Sequence, residues 1–186
     1  MSDGEIEEIF SSKVKQFAIN NSGAVLTKED IIASGYKGGK PENIDMAKEK
    51  KKPEDERIFP LFVFNSEKGK SFILSVRGNG LWDEIWGNIA LKDDLNTIVG
   101  ASFDHKGETP GLGAEIKDNP TFPSRFKGKK IFNEVGVFTS IEVKKTGGTA
   151  KNPYAVDGIS GATVTADGVE EMLERGIKYY LSLIHI

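Results

Sequence analysis

Two short stretches of this 186-residue chain carry side chains with which it could hold a ligand. The first is Asp157-Gly158-Ile159-Ser160-Gly161-Ala162-Thr163-Val164-Thr165, directly before the last apolar-periodic segment. Small residues let a ligand approach the backbone, and the hydroxyls of Ser160, Thr163 and Thr165 cluster together. A helix that begins here leaves its first N–H groups unpaired and offers a favourable field to an anion, a phosphate above all. The same residues also fit a plain glycine turn leading into a capped helix.

The second stretch is His105-Lys106-Gly107-Glu108-Thr109-Pro110-Gly111-Leu112-Gly113. Pro110-Gly111 suits the centre of a type II turn, where glycine takes the positive φ. Glycines on both sides permit close contact with a flat ligand, and Glu108 could accept hydrogen bonds from it. A long hairpin loop explains the same composition. The dinucleotide fingerprint is excluded, because no strand–GxGxxG–helix context is present. A smaller segment, Gly78-Asn79-Gly80-Leu81-Trp82, reads as a turn followed by a core tryptophan, or as a further piece of the site.

The elements that must position these residues follow from periodicity. Ile6, Ile9, Phe10, Val14 and Phe17 recur at helical spacing, so 5–18 is predicted to be an amphipathic helix. Residues 59–65 and 71–77 are rich in aromatic and β-branched types and flank a Gly-containing hairpin loop. Residues 83–91 alternate, with Ile85, Gly87, Ile89 and Leu91 on one side, and 97–105 continue as a strand after a turn at 92–96. Residues 135–144 are a further strand prediction. Val169, Met172, Leu173, Gly176, Ile177, Tyr180, Leu181 and Ile184 define a last helix, with Thr165 as its N-cap. Short loops between strands imply antiparallel pairing. The expected fold class is α+β: one antiparallel sheet with helices packed on it. The charge run 48–57 is expected to be a solvated loop or helix end, with a docking surface as the other reading.

Composition narrows the function. Lys+Arg is 25 against Asp+Glu 28, a net charge of −3, too balanced for an electrostatic nucleic-acid binder. With no cysteine, disulfides, thiolate nucleophiles and cysteine-ligated clusters are excluded. With only His105 and His185, no metal centre is expected. No apolar run approaches the roughly 18–20 residues that cross a bilayer, and the start, Met1-Ser2-Asp3-Gly4-Glu5, is polar and acidic. The chain reads as soluble, or as a soluble piece of an anchored protein.

Ser160-Gly161-Ala162-Thr163, preceded by Asp157-Gly158, resembles the motif of proteins that carry covalently bound FMN. Gly80-Leu81-Trp82, then Gly107-Glu108-Thr109-Pro110-Gly111-Leu112-Gly113 with Ala114-Glu115-Ile116, then Phe126-Lys127-Gly128-Lys129 follow in one order. In that order, from about Ser71 to the last helix, the chain resembles the NqrC family of the sodium-translocating NADH:quinone reductase. The sister family, RnfG of the Rnf electron-transport complex, shares the flavin-binding domain. The Gly80-Leu81-Trp82 segment and its spacing to the Glu-Thr-Pro-Gly loop favour NqrC.

The resemblance implies a phosphoester between Thr163 and FMN, made by a separate flavin transferase that uses FAD as donor. Asp157 would serve recognition or activation by that transferase, Gly161 and Ala162 would reduce the steric cover around Thr163, and Ser160 belongs to the same cofactor-binding motif. Glu108, Thr109, Gly111 and Leu112 would line the isoalloxazine ring with Trp82 near it, and Thr165 would help hold the phosphate. The implied domain is 59–186, with 1–58 as an N-terminal helix and connecting segment. The implied role is relay of electrons within NADH-to-quinone transfer coupled to sodium export. The chain would be one component of that reductase, with no complete active site, no catalytic residue and no metal of its own. Its partners would be the other subunits of the Nqr complex. The family's amino-terminal transmembrane helix is missing from the sequence. The expectation is therefore an extramembrane portion on the periplasmic side of the inner membrane. A reading of another class keeps Ser-Gly-Ala-Thr as a mere capping turn in a non-redox binding module.

Overall fold

A computed structural model describes residues 2–67, 69–145 and 147–184. His185 lies outside them, as does the side chain of Ile184. Helix α1 (Asp3–Lys13) leads straight into strand β1 (Val14–Asn20). The short helices α2 (Lys28–Ala33) and α3 (Met46–Glu49) follow. Strands β2 (Ile58–Ser66), β3 (Gly69–Asn79), β4 (Glu84–Lys92) and β5 (Ile98–His105) then form a meander. They make one antiparallel sheet of five strands in the order β1-β2-β3-β4-β5. Helices α4 (Glu115–Asp118) and α5 (Thr121–Ser124) lie beside β5. Strands β6 (Glu142–Lys144) and β7 (Ala155–Asp157) form a small parallel pair. The chain then enters helix α6 (Thr163–Ile184), which packs on β3. The α+β expectation holds.

The predicted helix over 5–18 is corrected: it stops at Lys13, and Val14 opens the edge strand, paired from Val14↔Phe64 to Asn20↔Ile58. Residues 14–20 satisfy both periods, because Phe17 and Ile19 alternate onto the core face while Val14 and Phe17 keep a helical step. Pairing with β2 decides between them. The 1–58 segment thus supplies one edge of the sheet. The predicted strand over 135–144 shrinks to Glu142–Lys144. Ahead of it, the Asn133 side chain accepts the N–H groups of Val135 and Val137 at 3.1 and 2.9 Å, and Gly136 has φ +78°, so this stretch is a turn. One member of the charge run turns inward. Glu49 is buried, accepting the Tyr36 hydroxyl, the Ile58 N–H at 2.8 Å and the Lys52 ammonium at 2.8 Å.

The core forms where α6 crosses the sheet. Val169, Met172, Leu173 and Ile177 are fully buried against Leu74, Val76, Ile85 and Ile89. Complete burial of one such side chain contributes about 1.5–3 kcal/mol. Glycines bring helix and strand together. A Cβ at Gly176 would lie 2.6 Å from Val76 Cγ1, and one at Gly78 would lie 2.7 Å from Met172 Cβ. A Cβ at Gly168 would collide with the Asn79 carbonyl. At the other end of α6 the buried Tyr180 hydroxyl donates to the Pro60 carbonyl at 2.8 Å. Phe103, Phe122 and Phe126 form a ring cluster with centroids 5.1–5.5 Å apart, which fixes α5 and Arg125 beneath β5.

Candidate functional site

The first turn of α6 is an array of unpaired backbone donors. Gly161, at φ +75°, turns the chain, and the first i→i−4 bond runs from Ala166 N–H to Ala162 C=O at 3.0 Å. The N–H groups of Thr163, Val164 and Thr165 precede that bond and have no helical carbonyl to pair with. Thr163 is half-buried, and its hydroxyl makes no hydrogen bond among the described residues. Thr165 is not the N-cap. It sits inside the first turn, buried, and its hydroxyl serves Glu108 instead.

Glu108 organises the surroundings. Its Oε2 accepts the Thr165 hydroxyl at 2.5 Å, and its Oε1 accepts the N–H groups of Trp82 at 2.9 Å and Asp83 at 3.4 Å. Its own N–H donates to His105 Nδ1 at 3.2 Å. Burial pushes the carboxyl pKa up, but the Thr165 hydroxyl and the N–H groups of the 81–83 turn outweigh it and hold the group below its ordinary value. Two glycines pack closely against this pair: a Cβ at Gly80 would lie 2.6 Å from Glu108 Oε1, and one at Gly113 would lie 2.6 Å from Thr165 Oγ1.

The Thr109–Leu112 turn is of the predicted type II form. Leu112 N–H donates to Thr109 C=O at 3.1 Å and Gly111 has φ +75°. The core-tryptophan reading of Trp82 is corrected. Trp82 is 68% exposed, because its Nε1 donates to Thr109 Oγ1 at 3.1 Å and holds the ring at the surface over the loop.

These segments enclose a cavity of about 140 Å³ lined by Leu81, Glu108, Thr109, Leu112 and Gly113 on one side and residues 161–165 on the other. Leu81 and Leu112 are 51% and 42% exposed, and Val164, also exposed, joins them. Apolar side chains of this size left open around one cavity mark a surface that expects an apolar body. Unpaired N–H groups and a free hydroxyl at the same place suit an anion.

The cavity thus unites Glu108, Thr109, Leu112, Gly161, Ala162, Thr163 and Thr165, with Trp82 alongside. It does not include Gly111, Ser160 or Asp157. Gly111 and Ser160 line a neighbouring polar cleft with Glu115, Asn119 and Arg125. Asp157 is held by Thr149, whose hydroxyl and N–H donate to it at 2.7 and 3.0 Å and keep its carboxyl below the ordinary range. Sequence reasoning missed Arg125 and Thr149. Arg125 Nη1 donates to the carbonyls of Asp157 and Gly158 at 2.7 and 2.9 Å, pinning the chain just before the Ser-Gly-Ala-Thr turn. Neither lies in a spacing pattern, and only the neighbouring Phe126-Lys127-Gly128-Lys129 run hinted at this region.

The profile of the FMN-binding domain family matches residues 80–178, a span that contains every residue lining the cavity. The class of protein is thereby defined as an FMN-binding domain. Among named relatives, NqrC of the Na(+)-translocating NADH-quinone reductase of Pseudomonas aeruginosa is 34% identical over 188 residues, covering 93% of this chain and 70% of that protein. The Vibrio vulnificus counterpart is 40% identical over 112 residues, which span 60% of this chain and 43% of that protein. The crystal structure of the Parabacteroides distasonis counterpart superposes with TM-score 0.81 at 38% identity, covering all of this chain and 85% of the other. The Shewanella oneidensis NqrC structure gives TM-score 0.81 at 28% identity, covering 98% and 88%. The chain belongs to the NqrC family of the Na(+)-translocating NADH-quinone reductase. Its residues fit FMN: free N–H groups and a hydroxyl for the phosphate, and open apolar side chains for the ring system.

Proposed function

We propose that this chain carries FMN as a phosphoester on Thr163 and relays electrons within a sodium-translocating NADH:quinone reductase. The observation that carries the reading is the Thr163 hydroxyl, unpaired and on the cavity wall, beside the N–H groups that open α6. A threonine hydroxyl is a poor nucleophile without a base, and no general base hydrogen-bonds to this one among the described residues. Attachment is therefore assigned to a separate flavin transferase. The Thr163 oxygen forms a bond to the FMN phosphorus of FAD, the pyrophosphate bond breaks, AMP leaves, and the hydroxyl proton passes to the transferase's base. Gly161 and Ala162 keep the approach open, and Arg125, through Asp157 and Gly158, holds the turn in place.

Once bound, FMN supplies reversible uptake and release of electrons. The protein's part is to fix it. The unpaired N–H groups at the helix start would hold the phosphate, Leu81 and Leu112 would flank the ring system, and the exposed Trp82 leaves the site near the surface. No substrate pocket for NADH or quinone is needed in a relay. The partners are the other subunits of the complex, and the place is the periplasmic side of the inner membrane, reached through an anchor outside this sequence. No described helix is long and apolar enough to cross a membrane.

The test is intact-mass analysis after co-expression with a flavin transferase. Wild type gains FMN less one water, mapped to the peptide holding Thr163, and Thr163→Ala gains nothing while keeping its circular dichroism. A colourless wild type beside a transferase shown to be active on a known acceptor would end the proposal in favour of a non-redox binding module.

A further inference from the structure

Glu108 is more than a wall of the cavity. Its oxygens already accept the Thr165 hydroxyl and the N–H groups of Trp82 and Asp83, so little acceptor capacity remains for a ligand. What it brings to the cavity is charge. Among the described residues no lysine or arginine pairs with it. The nearby Lys106 is taken by Asp83 at 3.0 Å, Lys117 is taken by Asp104 at 2.8 Å, and His105 meets the Glu108 backbone through Nδ1 as an acceptor. The carboxylate is 4% exposed, so water screens it poorly. The donors around it are neutral dipoles: they favour the ionised form without cancelling its charge.

Resting on the FMN reading above, we propose that Glu108 sets the reduction potential of the flavin held in this cavity, through a buried, uncompensated negative charge. Reduction adds electrons to the ring system, and a fixed anion in the same cavity disfavours the negative charge that accumulates. The potential is therefore lower than it would be without Glu108. The sign follows from Coulomb's law: like charges in a weakly screened site penalise the more negative redox state. The helix start acts the other way, but on the phosphate, whose charge does not change with the redox state. The fold thus holds the cofactor's anchor strongly while making its ring a better electron donor.

The test is spectroelectrochemical titration of flavin-loaded wild type, Glu108→Gln and Glu108→Asp, each first shown by mass to carry the adduct. Glu108→Gln keeps the shape and loses the charge. It should raise the reduced-to-oxidised ratio at a fixed ambient potential about tenfold, an upward shift of about 30 mV for a two-electron couple. Glu108→Asp keeps the charge and disturbs the packing, and should stay near wild type. A merely structural role predicts the reverse order. A measurement on wild type alone needs no variant to load. The gap between its potential and that of free FMN at the same pH should narrow as pH falls below the ordinary carboxylate range and Glu108 is neutralised. An unshifted Gln variant, equal shifts in both variants, or a gap that does not change with pH overturns the proposal. A wild type without adduct overturns the FMN reading itself.

Discussion

The Thr165 hydroxyl donates to Glu108 Oε2 at 2.5 Å, joining the first turn of the last helix to a loop 57 residues earlier in the chain. Both groups are buried. Removing the donor leaves a buried carboxylate oxygen unsatisfied, at about 1–3 kcal/mol. Thr165→Val should lower stability by that amount in urea denaturation, with reduced flavin loading because both walls of the cavity lose their tie.

Acid should loosen the same contact. The folded-state pKa of Glu108 lies below its ordinary value. Its contribution to stability is thus complete above the ordinary carboxylate value and is lost as pH falls through the lower, folded value. In acid titration of denaturation midpoints, wild type should lose stability over that window, and Glu108→Gln should lose less.

Gly80 and Glu108 are in direct contact. A methyl at Gly80 would lie 2.6 Å from Glu108 Oε1 and 3.0 Å from Ile85 Cγ2. Gly80→Ala should cost about 1–3 kcal/mol by overpacking. Trp82 fluorescence reports on it directly, because displacement of Glu108 frees the Trp82 N–H.

Arg125 gives a kinetic prediction. Its Nη1 fixes the Asp157 and Gly158 carbonyls at 2.7 and 2.9 Å. Arg125→Ala should slow transferase-dependent flavin attachment severalfold, read as the time course of the mass shift. The helix content seen by circular dichroism should be unchanged.

Tyr180 serves as a control far from the site. Tyr180→Phe deletes the buried bond to the Pro60 carbonyl. It should cost about 0.5–1.5 kcal/mol in denaturation midpoint and leave flavin loading at the wild-type level.

Much of the scaffold was legible because its signals are local. Ile85, Ile89 and Leu91 alternate inward as predicted, and the α6 stripe from Val169 to Leu181 is buried. What was not legible depends on contacts between distant segments. Val14 and Phe17 fit a helix until pairing with β2 makes residues 14–20 an edge strand. Thr165 has the type of a cap, but its hydroxyl is drawn away by Glu108. Trp82 has the type of a core residue, but is held outward by Thr109. Val135 and Val137 favour strands, yet the Asn133 side chain curls the backbone into a turn closed by the Phe132–Phe138 bridge. At the site, the loop and helix-start motifs could be read directly. That Gly111, Ser160 and Asp157 fall outside the cavity could not, because spacing does not say which way a turn faces.

The glycine contacts between α6 and β3 act as notches along a shaft. With Gly168 seated on the Asn79 backbone and Gly176 on Val76, the helix cannot slide lengthwise by a residue without driving a bulkier side chain into the strand. Mechanical alignment is thus set well inside the molecule, and the first turn of the helix inherits it. Where the Thr163 hydroxyl stands depends on two missing methyl groups along the shaft behind it.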